Sequence, residues 1–173
     1  MTDFANLIHD HGPIVWATAC RLLGNDADAA DCFQDTFVEA VRVSRRQTIQ
    51  HWPGLLRRIA TVRALDQLRR VRHRDRVDPA QDLDLLPGAQ SDPVGESQSH
   101  ELAAALRQAV ARLPDRQAEV FCLRCLDELS YKEIADQLDL TENAVGVLLH
   151  KARTKLAANL DRHLPEPVGP ANP

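Results

Sequence analysis

The sequence predicts an all-α protein, two small helical domains joined by a flexible acidic linker. Three observations lead there. Long stretches repeat apolar residues every three to four positions, the period of an amphipathic helix. Glycine is scarce, 7 of 173 residues, and β-branched residues nowhere alternate with polar ones as a half-buried strand requires. Between residues 75 and 99 the period vanishes, and "DRVDPAQDLDLLPGAQSDPVGESQS" combines three prolines and two glycines with many acids, a composition that builds no core. The expected division is therefore a helical domain over 1–74, a linker over 75–99, a second helical domain over 100–162 and a proline-rich disordered tail over 163–173.

The elements follow in order. "FANLIHDHGPIVWATACRLLG" reads as helix, with a break expected at Gly12-Pro13 and a stop at Gly24. "NDADAADCFQDTFVEAVRVS" opens on Asn25 or Asp26 as a cap, and its early aspartates suit the positive helix N-terminus. Phe33, Phe37 and Val41 form its apolar stripe. After "RRQTIQH", Pro53 suits the first turn of "PGLLRRIATVRALDQLRRVRHR", with Ile59, Val62, Leu65 and Leu68 facing inward. Beyond the linker, "ELAAALRQAVARL" resumes helicity and Pro114 restarts it into "DRQAEVFCLRCLDEL". Ser130 and Glu133 have capping-box spacing at the start of a short helix carrying Ile134, Ala135 and Leu138. Thr141 caps the next, whose Val145, Leu149, Ala152 and Leu156 lie on one face. Two short helices, a tight turn through Asp139 and a small residue at the crossing make a helix-turn-helix.

Composition narrows the function classes. No apolar run is long enough to span a bilayer and no charged-then-apolar segment opens the chain, so a cytoplasmic protein without membrane insertion is expected. The four cysteines make no disulfide framework. Cys122 and Cys125 form a C-x2-C, but zinc needs four ligands, and neither a second pair nor suitably spaced histidines accompany them. They read as buried or half-buried small hydrophobes, and no metal or cofactor is expected. The net charge of −4 conceals opposed blocks. Residues 42–74 hold ten arginines, no lysine and a single acid, +9 in all, whereas 1–41 and 75–101 carry −6 each. So concentrated a block of guanidinium groups points to a polyanion, whose phosphates their forked geometry fits.

Taken together, these segments resemble the sigma-70 superfamily of bacterial transcription initiation factors, in its short extracytoplasmic-function (ECF) class. "RLLGNDADAADCFQDTFVEAV" is similar to the family's polymerase-docking helix. "WPGLLRRIATVRALDQLRR" resembles its segment for capturing and melting the minus-ten element. "LPDRQAEVFCLRCLDELSYKEIADQLDLTENAVGVLLHKARTKL" resembles its minus-thirty-five-reading domain. The resemblance implies a protein without a catalytic site that binds core RNA polymerase and promoter DNA, and it leaves room for a cognate anti-sigma factor. It implies polymerase docking through Asp28, Asp31, Gln34, Asp35 and Phe37, and minus-ten binding through Trp52, Arg57, Arg58, Arg63, Arg69 and Arg70. Minus-thirty-five binding falls to Thr141, Asn143, Gly146, Val147, His150, Lys151 and Arg153.

The chain departs from the family pattern at several of these places. Gly146, Val147 and Leu148 stand where Lys, Ser and Arg are usual, Asp139 replaces the turn glycine, and Leu55 and Val62 replace a Trp and an Asn of the melting segment. Three alternatives stay open at this point. One is a sigma-like interaction or antagonist module, favoured by Val147 and Leu148. Another is a stand-alone helix-turn-helix regulator, which would need a dimerisation helix and a basic recognition helix that the sequence does not display. A thiol sensor through Cys122 and Cys125 is a third, minor reading.

Overall fold

The apolar stripe of the first segment decides the first element. A computed structural model describes residues 4–77 and 95–160, and in it Leu7, Val15, Ala19, Leu22 and Leu23 are buried along α1 (Phe4–Leu23). The helix does not break at Gly12-Pro13 but runs through it. An interior proline costs about 3 kcal/mol, and the stripe buried on both sides of Pro13 outweighs it. Gly12 is itself buried, with a Cβ there 3.5 Å from the Phe33 ring, so the next helix packs closely. Gly24, at φ 74°, stops α1 as its sequence position suggests.

Asn25 caps α2 (Asp26–Ser44), its side-chain oxygen accepting from the Asp28 amide at 2.8 Å. α3 (Trp52–Val77) follows with Pro53 in its first turn. α1, α2 and α3 pack on one another, and Leu7, Val15, Phe37, Leu56 and Ile59 fill one end of the bundle. α3 continues to residue 77 and α4 (Gly95–Ala111) begins at residue 95, so both ends of the expected linker are helical. Residues 78–94 and the tail from 161 lie outside the described residues.

α5 (Asp115–Cys125), α6 (Tyr131–Leu138) and α7 (Glu142–Leu160) form the helix-turn-helix unit. Its core joins Val120, Leu123, Ile134, Leu138, Val145 and Leu149, as the periodicity predicts. A third core does not respect the two-domain division. Leu22, Leu23, Cys32, Ala64 and Leu65 of the first domain share it with Val110, Leu113, Ala118, Ala152 and Leu156 of the second. The described helices therefore pack as one body around a common apolar seam.

Candidate nucleic-acid interface

The helix-turn-helix is held by local hydrogen bonds before any long-range contact. Glu133 Oε2 accepts from the Ser130 amide at 2.7 Å, and Ser130 Oγ accepts from the Glu133 amide at 3.2 Å, completing the capping box. The Ser130 backbone and hydroxyl hold the Glu133 carboxyl below its ordinary pKa. Asp139 turns the chain at φ 53°, ψ 53°, a left-handed conformation that Asp tolerates better than most residues. Thr141 Oγ1 then accepts from the Ala144 amide at 3.1 Å, which fixes where α7 starts and which face it shows.

That face carries Glu142, Asn143, Val147, His150 and Lys151, all exposed, beside a half-buried Gly146. With Tyr131 these line a shallow cleft of about 530 Å³. Arg153 is exposed too, one guanidinium nitrogen 3.8 Å from Cys125 Sγ. Leu148, grouped with Val147 as support for a partner-binding module, instead packs against the helix-turn-helix core. Among the described residues a Cβ on Gly146 would meet only Tyr131, at an ordinary 3.5 Å, so the described fold does not demand glycine there. Tyr131 joins this surface although its sequence context advertised only a cap. Its ring also lies 5.8 Å from the Arg124 guanidinium carbon.

On α2, Asp31, Gln34 and Asp35 are exposed together, and Val38, unnoticed in the sequence, adds an apolar side chain that is 49% exposed. Phe37 does not belong with them. It is 6% exposed and packed against Phe33, ring centroids 5.0 Å apart and tilted at 56°, because its place in the stripe points it inward. Asp28 is half-buried and occupied, accepting from Gln67 Nε2 at 2.8 Å and Asn25 Nδ2 at 2.7 Å.

The α3 arginines are mostly engaged within the chain, contrary to a reading of them as free phosphate ligands. Arg63 pairs with Glu39 at 2.9 Å. Arg58 donates to the Gln137 carbonyl at 3.1 Å and lies 3.7 Å from Glu119. Arg69 donates to the Leu113 carbonyl at 3.1 Å and pairs with Asp115 at 2.8 Å. Arg57 is partly buried, its Nε without a hydrogen-bond partner among the described residues, beside a cleft that Asp127 also lines. Arg70 is exposed. Trp52 is a packing residue, edge-on to Phe4 with ring centroids 6.3 Å apart.

No cluster of His, Cys, Asp and Glu among the described residues could hold a metal ion. Cys122 is fully buried, and burial pushes its thiol well above the ordinary value, which makes it a poor nucleophile. Cys125, expected to be at least half-buried, is exposed at the last position of α5. Among the described residues no helix is long and apolar enough to cross a membrane.

Comparison with known proteins agrees with this layout. Residues 7–74 match the sigma-70 region 2 family and residues 103–156 match the sigma-70 region 4 family. The ECF RNA polymerase sigma factor SigE of Mycolicibacterium smegmatis is 31% identical over 167 residues, covering 96% of this chain. The chain spans 65% of that relative's length. The ECF RNA polymerase sigma factor SigW of Bacillus subtilis is 27% identical, over 91% of this chain and 88% of its own. Two solved structures share the fold. CnrH in complex with the cytosolic domain of CnrY has a TM-score of 0.58 at 24% identity, over 93% of this chain and 89% of that one. The Bartonella quintana sigma factor RpoE, bound to the anti-sigma factor NepR, has a TM-score of 0.52 at 19% identity, over 93% and 98%.

Proposed function

We propose, from the premise that this chain belongs to the sigma-70 family in its ECF class, that it is a transcription initiation factor which binds core RNA polymerase and directs it to a set of promoters. The observation that carries this is the succession of three surfaces on one short chain. An exposed acidic patch on α2 comes first, then an arginine-rich α3, then a complete helix-turn-helix. A protein–protein docking face followed by two separate nucleic-acid elements fits recruitment of a catalyst to DNA better than a reaction of its own.

In this reading Asp31, Gln34, Asp35 and Val38 meet a basic surface of the polymerase, where complementary charge speeds and orients encounter. Arg70, exposed on α3, holds phosphate around the minus-ten element. α7 lies at the minus-thirty-five element, where Asn143 is the side chain best suited to a base edge and His150, Lys151 and Arg153 serve the backbone. The protein acts where the polymerase is, in the cytoplasm, and needs no cofactor. Its chemistry is that of binding, without catalysis.

The test is assembly. Purified chain should form a stoichiometric complex with core polymerase on a native gel. Asp31→Ala, Gln34→Ala and Asp35→Ala together should abolish that complex while helicity by circular dichroism stays unchanged. A triple variant that still assembles would refute the α2 assignment. The exposed Val147 beside Tyr131 favours one second reading, a partner-binding rather than base-reading α7. It would be the better one if Asn143→Ala left binding unchanged at every minus-thirty-five position.

A further inference from the structure

The first turns of α7 carry neither lysine nor arginine before Lys151. What they show instead is apolar. Val147 is 45% exposed, and Tyr131, the first residue of α6, is 37% exposed and lines the same cleft. Gly146 adjoins both. A Cβ there would stand 3.5 Å from Tyr131 Cε2, so glycine leaves that edge of the ring bare. The ring also lies 5.8 Å from the Arg124 guanidinium carbon, a contact that fixes it from α5. The three residues thus form a notch the width of one missing side chain, with Gly146 as its floor. The described fold does not demand glycine at 146, and glycine weakens a helix interior. Close approach of a ligand to the backbone accounts for it.

The groups around the notch suit one kind of base pair. In the major groove guanine offers two acceptors, N7 and O6, which arginine or lysine reads. Adenine offers an acceptor and a donor, which an amide reads, and thymine offers O4 and a 5-methyl group. Beside the notch stand Asn143, an amide, and Glu142, a carboxylate that can only accept and so disfavours the guanine edge. Lys151 follows Val147 by a full turn, at the far end of the cleft, where it serves the DNA backbone. Asn143 precedes Val147 by a turn on the same face. A turn rises about 5.4 Å and successive base pairs about 3.4 Å, so the two side chains reach one A·T pair or two neighbours.

We propose that α7 reads thymine by its 5-methyl group, which enters the notch formed by Val147, Tyr131 and the bare backbone of Gly146. The chain then selects an A·T pair at a place where an arginine-bearing helix would select guanine. This rests on the reading of α7 as the helix that faces the minus-thirty-five element, and it names the base that the apolar part of that helix prefers. Exposed His150, Lys151 and Arg153 follow the notch along α7, and cations flanking an apolar contact fit a groove bordered by phosphates better than they fit a protein surface.

The experiment changes the DNA by one methyl group at a time. Holoenzyme made from core polymerase and the full chain binds a genomic promoter fragment on which it starts transcription. Each thymine of the minus-thirty-five element is then replaced in turn by deoxyuridine, which pairs alike and lacks only the 5-methyl group. At one position the replacement should weaken binding about fourfold, the worth of one buried methyl-sized group, and the other positions should be indifferent. Val147→Ala, at an exposed position that leaves the fold intact, should bind the thymidine and deoxyuridine fragments equally. Tyr131→Phe, which keeps the ring, should preserve the difference. Indifference of the unaltered chain to every methyl, or a methyl effect that survives Val147→Ala, would overturn the proposal. Loss of holoenzyme assembly in Val147→Ala without any methyl effect in the unaltered chain would overturn it too and give the patch to a protein partner. A chain that assembles no holoenzyme or starts no transcription refutes the proposed function and this inference with it. Base preferences at the minus-thirty-five element without a methyl effect refute thymine reading alone.

Discussion

At the scale of single residues, Asp127 is the most informative side chain in the molecule. Burial raises its carboxyl above the ordinary range, while the Thr18 hydroxyl, Arg21, Arg57 and Thr61 pull it part of the way back. Glu128 lines the same cleft. A carboxyl with a raised native pKa holds its proton more tightly in the folded chain than in the unfolded one. Its contribution therefore favours the fold at acid pH and is lost as pH rises through the raised native value. Urea titrations of wild type and Asp127→Asn check the sign. Wild-type stability minus variant stability should decline as pH climbs from about 4 upward, the ordinary aspartate value being the lower edge of the window. A flat or rising difference would contradict the burial. Nothing in "CLDELS" announces this role, since the partners Thr18 and Arg21 lie more than a hundred positions away. Glu128 beside it, a non-glycine residue at φ 58°, turns the chain there. Phe37 shows the opposite error. Family resemblance assigned it to docking, whereas its own place in the Phe33–Phe37–Val41 stripe pointed inward. Phe37→Ala should cost about 3–5 kcal/mol of stability by denaturant titration, a loss that a surface docking residue would not produce.

At the scale of elements, the helix-turn-helix was the most legible part because its determinants are local. Capping box, left-handed Asp139, second cap at Thr141 and the Val145–Leu149–Ala152–Leu156 stripe all lie within thirty residues and act through backbone neighbours. Ser130→Ala should therefore cost about 1 kcal/mol, the usual worth of an N-cap side chain, seen as a lower melting midpoint with α7 otherwise intact. A loss below a few tenths would mean that the hydrogen bonds to Glu133 contribute nothing net. α1 was less legible. Reading Pro13 as a break applied a correct local penalty and left out the tertiary burial that exceeds it. The ends of α3 and α4 extend into the segment expected to be linker for a related reason. Composition marks where a core cannot form, and a helix can outrun its core by a turn. On α7, Asn143→Ala should cost about 1–3 kcal/mol at one minus-thirty-five base pair if its amide reads adenine, and nothing elsewhere. A competition series over single-base variants of that element measures it.

At the scale of the whole molecule, the sequence displayed two domains and hid how they meet. The +9 block was read as a surface facing a polyanion, because charge arithmetic counts guanidinium groups without locating them. Arg58 and Arg69 instead lie on helix ends and carboxylates of the second domain, and Leu22, Leu65, Leu113 and Leu156 share one core. Contacts between segments so far apart leave no periodic trace in the chain. Promoter-directed initiation in a purified system tests the proposed function most directly. Core polymerase with this chain, given a library of genomic promoter fragments, should yield run-off transcripts with defined start sites at a subset of fragments. Core polymerase alone should yield none of them. The same transcripts in the absence of the chain, or a chain that binds core polymerase yet selects no start sites, would contradict the assignment.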